Sequence, residues 1–422
     1  MKSIRHPIHG LGRVVGTRHN RFELLVAFGE NHPIWVRRTD VQEAVDRTAP
    51  PRLPPRKNTE PAHEGTLAAR KAIEALRLGI VPMTHIRDLT VGRGREVGQL
   101  QRWLKDPEEP SVLALIGAYG AGKSHMLQYL HSLALDWNYV SASVNLDPDE
   151  VPLSRPKRVY RSIVDTLRFP TGLGRTGRFR EFIDEAFRQQ LLLDNRFFRY
   201  VARNSRDDSV WQWIEAEDGL LRPADPWGRL GAIPGLHDYQ KAANTYTYLI
   251  SSLGSASIGL GHPGMLVVMD EAESIDQYVY PYQRLRSGNF LSALRRAASN
   301  DSRLLGHPGD TTLDYGRHEP VRFLYKLPSG LKLVLAFASR TGGARVFDSS
   351  DGAVRTVQLH NLAASSLDEA SRKIRKIYKD AYGWASESGA VVDDDAELED
   401  QPTRLRIKGI VERLDLQRYG RG

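Results

Sequence analysis

The sequence predicts an α/β fold in which helices cover a mostly parallel sheet, and three observations carry that prediction. The apolar run at 112–116 leads directly into Gly117-Ala118-Tyr119-Gly120-Ala121-Gly122-Lys123-Ser124, a G-x-x-x-x-G-K-[ST] loop that belongs between a strand and a helix. A second apolar run, at 265–269, ends in the carboxylates Asp270 and Glu271. Around them, short apolar runs of strand length alternate with segments of helical spacing, the pattern of a sheet built from crossover units.

Residues 1–46 read differently. The runs GLGRVVG at 10–16, FELLVAF at 22–28 and PIWV at 33–36, separated by turn residues, predict a small twisted β-barrel. The pattern His6-Pro7, Gly10, Gly12 and then Val26-Ala27-Phe28-Gly29 resembles the Tudor/SH3-like modules of CarD-type and UvrD C-terminal regions, which implies contact with protein or nucleic acid. Arg5, Arg13, Arg18, Arg21, Arg37 and Arg38 give it a basic face, solvated or occupied. Residues 47–65 hold Pro50, Pro51, Pro54 and Pro55 and are expected to form a semi-rigid linker.

A core domain is expected over 66–360. It opens with a helix at 66–77, stopped by Gly79 and Pro82. The glycines of the 117–124 loop let its backbone N–H groups wrap a phosphate chain, Lys123 reaches the β- and γ-phosphates, and the Ser124 hydroxyl ligates Mg²⁺. The helix predicted over 123–135, with His125 in its first turn, points its positive dipole end at the anion. A strand follows at 139–144. The stretch from there to 265 is too long for a simple crossover, and helical patterns at 178–200, 209–213 and 237–253 predict a helical insertion over about 150–260.

The apolar strand ending in Asp270-Glu271 has the form of a Walker B segment. Two adjacent carboxylates allow one metal role, Asp270 holding hydrated Mg²⁺ beside Ser124, and one base role, Glu271 polarising the water that attacks the γ-phosphate. The long separation of the two motifs leaves room for a strand between them in the sheet, as in additional-strand P-loop ATPases. A helix is expected at 283–298, then strands at 331–338 and 354–359 and a helix at 366–382. The acidic run at 393–397 reads as a solvated loop, and 361–422 as a C-terminal helical lid or tail.

Three further elements resemble those of AAA+-type ATPases. The 331–338 strand exits into Ser339-Arg340-Thr341, where such enzymes carry the polar sensor 1 residue that aligns water and γ-phosphate; Ser339 is the first candidate and Thr341 the second. Val91-Gly92-Arg93, ahead of a helix with Leu100, Trp103 and Leu104, is similar to the segment that cups adenine in the origin-recognition group. An arginine supplied to a neighbouring subunit would come from Arg284, Arg286, Arg295, Arg296 or Arg303, with Arg295 or Arg296 preferred, and would require a homo-oligomer.

Composition bounds these readings. Hydrophobic and charged fractions of 41% and 26% are those of a soluble globular protein. The absence of cysteine excludes disulfides and thiolate zinc sites, and the 13 histidines form no H-E-x-x-H motif, so Mg²⁺ is the metal expected. No run approaches the ~18 apolar residues of a membrane span and the start MKSIRHPIHG lacks a signal-peptide core, so a cytoplasmic protein is expected. A net charge of +8 favours a polyanionic partner such as DNA, bound through its backbone by the basic barrel or the inserted helices.

Ala75-Leu76-Arg77-Leu78-Gly79-Ile80-Val81-Pro82, Thr90-Val91-Gly92-Arg93, Gly120 to His125, Pro152-Leu153, the segment 159–164 and Met269-Asp270-Glu271-Ala272-Glu273 together resemble the BREX-system ATP-binding proteins of the BrxD type, over roughly 66–420. The resemblance implies a bacterial phage-defence setting, with helicase, methyltransferase and phosphatase-like proteins as associates. The expected function is an ATPase whose nucleotide state switches its contacts with DNA or a partner complex. The alternative is a nucleotide-binding scaffold with little turnover. A small-molecule kinase or GTPase is disfavoured by the motif separation and by the lack of an N-K-x-D sequence.

Overall fold

The computed structural model describes residues 3–6, 10–18, 23–28, 33–37, 42–43, 64–172, 174–217, 219–220, 222–223, 235–238, 242–305, 327–338, 353–384 and 401–420. The chain divides into two compact units, Met1–Ala62 and His63–Gly422.

The first unit is an antiparallel sheet of β1 (Ser3–His6), β2 (Gly10–Arg18), β3 (Glu23–Ala27), β4 (Ile34–Arg37) and β5 (Gln42–Glu43), in the order β4-β3-β2-β1-β5. Leu24 and Val26, two apart on β3, point to one face and bury with Phe28 and Val36. The register shift between Val14 and Gly16 bends β2. Among the described residues, strands β4 and β5 stand at the two ends of the strand order.

The second unit runs α1 (Glu64–Arg77), α2 (Gly94–Lys105), β6 (Val112–Gly117), α3 (Lys123–Asp136) and β7 (Val140–Asn145). Then come α4 (Pro156–Thr166), a hairpin of β8 (Phe169–Pro170) and β9 (Thr176–Gly177), α5 (Phe179–Arg188), α6 (Arg196–Arg203), α7 (Asp208–Ile214) and α8 (Ala242–Gly259). The chain continues with β10 (Met265–Asp270), α9 (Pro281–Ala298), β11 (Leu331–Phe337), β12 (Val354–Leu359), α10 (Ala364–Tyr382) and α11 (Thr403–Tyr419).

Five parallel strands make the central sheet, ordered β12-β6-β11-β10-β7. Strand β11 lies between β6 and β10, with Leu335 opposite both Ala114 and Met269. Side chains alternate between two cores. Leu113 and Leu115 pack with Trp103 of α2 and Leu130 of α3, whereas Val112, Ala114 and Ile116 face the other core, which α4 to α9 cover. Burial on both faces is why these strands read as unbroken apolar runs.

The helical pattern at 178–200 resolves into two helices. Gln190 and Leu192 adopt left-handed backbone angles between them, and Asn195 then caps α6 by accepting from the Phe197 N–H at 2.9 Å. A third core joins the ends of this unit: Ile73 and Leu76 of α1 pack with Ile374 and Tyr378 of α10 and with Ile410 and Leu414 of α11. Arg77 donates to both carboxylate oxygens of Asp415, at 2.8 and 2.9 Å.

Candidate functional site

The strands β6, β10 and β7 all end at one edge of the sheet, because they are parallel and in register. In open parallel sheets the crevice at the carboxyl ends of the strands is where ligands bind. Here it is a cavity of about 870 Å³ lined by Val91, Arg93, Tyr119, Gly120, Ala121, Gly122, Lys123, Ser124 and His125 on one side and Asp270 and Glu271 on the other. Residues distant in sequence and predicted separately therefore meet in one space, large enough for a nucleotide.

The loop conformation follows from its glycines. Gly120 and Gly122 have φ of 75° and 97°, a region that residues with a Cβ rarely adopt. Gly117 lies outside the cavity lining; it ends β6 against Leu359, where an added Cβ would stand 3.0 Å from the leucine Cβ. Lys123 is buried, and its ammonium donates to the carbonyls of Gly117 and Ala118 at 3.1 and 3.2 Å. Two backbone acceptors thus hold the cation inside the loop, poised for a stronger anionic acceptor.

Arg93 lines the cavity and also braces the glycine loop. It is buried, and its guanidinium donates to the Ala121 carbonyl at 2.6 Å and to Glu96 at 3.2 Å, so its polar end supports the loop. Gly92, unlike Arg93, is absent from the lining: its φ of 65° brings it against Ser366 and Leu362 at the start of α10. Val91 is buried and does face the cavity. Thr90 donates its hydroxyl to the Ile86 carbonyl at 2.7 Å and lies 2.8 Å from His125 Nε2. One hydroxyl hydrogen serves one acceptor, so Nε2–H is the donor in this contact. Burial, helped by Arg93, lowers the His125 pKa to about 4.

On the opposite wall, Glu271 has a left-handed φ of 55°, and its N–H donates to Asp270 Oδ1 at 2.9 Å. That conformation in a residue with a side chain stores strain of about 1–3 kcal/mol, of a kind found at functional sites. Burial raises the Glu271 pKa, reinforced by Asp270, Glu273 and Asp147 and opposed by Lys123. Glu273 has one oxygen, Oε2, buried without a hydrogen-bond partner among the described residues, and it also lines the cavity. A carboxylate two residues past Glu271 is visible in the sequence, but only the turn of the chain after β10 brings it to the cavity.

The C-terminal helix completes the enclosure. The Arg404 backbone N–H donates to the Gly120 carbonyl at 3.1 Å, and its guanidinium donates to the hydroxyl of Tyr119, also at 3.1 Å. Pro402 lies so near Gly120 that an added Cβ there would come within 2.6 Å of it. No motif marks this segment, since QPTRLR is an unremarked helix start. Ser339, Arg340 and Thr341 lie outside the described residues. Arg295 is 2% exposed and Arg296 lies near Asp301, so both face their own subunit, the reverse of what contact with a neighbouring subunit requires.

No curated protein matches the chain. Among solved structures, the Walker-type ATPase PABY2304 of Pyrococcus abyssi is similar, with 14% identity and a TM-score of 0.38 over 79% of this chain and 69% of that one. Residues 66–190, which carry the Thr90 to Arg93 turn, the glycine loop and α3, match the family described as BREX system ATP-binding protein BrxC/D, and over that segment the chain resembles this family, as its motifs predict.

Proposed function

We propose that the chain binds ATP with Mg²⁺ in this cavity and hydrolyses it, acting as a nucleotide-dependent switch or motor in a bacterial phage-defence complex of the BREX kind. The observation that carries the reading is the meeting of the glycine loop with Asp270 and Glu271 in one cavity, with β11 between their strands. The family match over 66–190 supports ATP as the nucleotide.

In this reading the loop N–H groups bind the phosphates and Lys123 exchanges its two carbonyl partners for phosphate oxygens. The Ser124 hydroxyl and the Asp270 carboxylate are hard oxygen donors, a set that suits Mg²⁺, which takes few protein ligands and completes its shell with water and phosphate. When bound, that ion neutralises charge on the β- and γ-phosphates. Glu271 accepts the proton of the attacking water, and the cluster that raises its pKa strengthens it as a base. Ser339 is proposed as the sensor. Val91 offers apolar contact to the base, while Arg93 positions the loop.

DNA is the proposed macromolecular partner, supported by the net charge of +8, and a helicase, methyltransferase or phosphatase-like protein of the same system is a further one. A homo-oligomer is proposed, without Arg295 or Arg296 as its shared residue. Fluorescent-nucleotide binding and phosphate release test the core of this reading. Lys123→Ala is expected to lose binding, and Glu271→Gln to bind while turnover falls about 10²-fold or more. Unchanged turnover in Glu271→Gln, with partner binding lost in Lys123→Ala, would point to a scaffold.

A further inference from the structure

Directly after the Walker B strand, a 3₁₀ turn (Ala272–Gln277) leads from the cavity to an exposed aromatic turn that the nucleotide site does not use. Val279, Tyr280, Tyr282 and Leu285 are 81%, 57%, 53% and 62% exposed, side by side at the start of α9. A contiguous apolar patch of this kind on a soluble surface marks an interaction site.

The patch is built and held. Tyr278 is buried beneath it, and the Arg284 Nε donates to the Tyr278 carbonyl at 3.1 Å. Pro281 fixes the first helical position, and the Tyr280 N–H donates to Gln283 Oε1 at 3.3 Å. The rings of Tyr280 and Tyr282 stack with centroids 5.6 Å apart and planes 20° from parallel. The Arg286 guanidinium lies 5.3 Å from the Tyr282 centroid, so three planar groups stand in series. No Asp or Glu occurs in the sequence between Asp276 and Asp301, so Arg284 and Arg286 are the charged residues of the turn itself.

We propose that the turn at 279–286 is a stacking platform for the bases of single-stranded nucleic acid, with Arg284 and Arg286 facing its phosphates. Exposed aromatic faces accept any base, and neighbouring cations track the backbone; an acidic or purely apolar protein surface would leave one of these two features unused. Gln277 lines the nucleotide cavity and adjoins Tyr278, so the platform is one short turn from Glu271. This proposal rests on the nucleic-acid part of the proposed function and is independent of hydrolysis.

The test is fluorescence anisotropy of a labelled oligothymidylate against the full chain, across salt concentration, alongside basal ATP turnover, melting temperature and light scattering. Tyr280→Ala with Tyr282→Ala is expected to weaken binding about 10- to 100-fold, and Tyr280→Phe with Tyr282→Phe to retain it, both with wild-type turnover and melting. Arg286→Gln is expected to weaken binding and flatten its salt dependence. Wild-type affinity in the alanine pair overturns the platform while leaving DNA binding elsewhere intact. Absent oligonucleotide binding in a wild-type chain that still turns over ATP overturns it without touching the ATPase reading. A changed mass in the alanine pair at unchanged affinity reassigns the patch to a second copy of the chain.

Discussion

The guanidinium of Arg93 donates to the Ala121 carbonyl of the glycine loop at 2.6 Å, while Glu96 takes its second nitrogen. A buried cation with both partners satisfied braces a glycine-rich loop from within, beside the hold that Lys123 and Arg404 also have on it. Arg93→Ala leaves the Ala121 carbonyl and the Glu96 carboxylate without their partner. Hydrogen bonds to charged groups are worth about 1.5–3 kcal/mol, so a lower melting temperature and roughly tenfold weaker ATP binding are expected. Arg93→Lys, with a point charge and no fork, is expected to recover only part of the loss. Thermal melts and nucleotide titration of both variants decide it.

Gly92 meets α10 where an added Cβ would lie 2.2 Å from Ser366 Oγ and 2.5 Å from Ser366 Cβ, and its φ of 65° disfavours a side chain in any case. Gly92→Ala is therefore expected to cost about 2 kcal/mol or more. Ser366→Gly relieves the contact but leaves the backbone strain. In a double-mutant cycle read by thermal unfolding, the two substitutions should couple favourably, with incomplete rescue. Simple additivity would mean that the loop moves away from α10 at no cost.

His131 of α3 is buried, with Nδ1 2.7 Å from Ser141 Oγ on β7. Burial, with Arg168 adding to it, lowers its pKa to about 4. The folded value lies below the unfolded value of ~6.5, so the unfolded chain binds the proton more readily. The stability this group contributes is full above pH ~6.5 and is lost as pH falls toward ~4, on the order of 3 kcal/mol in all. His131→Gln removes the titration, and its melting temperature should fall less steeply over that window than the wild type's. Parallel curves would show that His131 protonates freely in the folded chain.

The parts of the site that could be read from sequence are local ones. A strand, a glycine loop and a helix follow one another from Val112 to Asp136, and a strand ends in Asp270-Glu271, so neighbouring residues carry both signals. The separation of the two motifs leaves room for a strand between theirs but does not say which, and the strand that fills the place, β11, follows both motifs in the chain, whereas β7, which lies between them in sequence, takes the sheet edge. Contacts between residues far apart carry no such signal. Nothing in Arg93 shows that it reaches the backbone of Ala121, a carbonyl every residue possesses. Nothing in Pro402 or Arg404 shows that they close on Gly120, some 280 positions earlier. The preference for Arg295 and Arg296 failed for the same reason, because a helix with arginines along it does not reveal which of them its own core covers.

Glu271 stands among carboxylates, and under the proposed hydrolysis that neighbourhood sets the acid limit of turnover. Burial raises its pKa first, then Asp270, Glu273 and Asp147, against the pull of Lys123. Asp147 stays charged, because the Glu150 and Asp149 N–H groups, each 2.8 Å from its Oδ1, lower its own pKa. Glu273 is the neighbour that can be neutralised at the least risk to Mg²⁺ binding, since Asp270 is the proposed ligand. A base acts deprotonated, so a raised pKa carries the acid limb of the rate profile to higher pH. Glu273→Gln removes one repelling charge, lowers the Glu271 pKa and should move that limb to lower pH, with plateau turnover kept within a few-fold. Phosphate release at saturating ATP between about pH 5 and 9 measures it. An acid limb in the same place would mean that Glu273 does not act on the base, and a shift to higher pH would mean that Glu273 stabilises the charged form of Glu271.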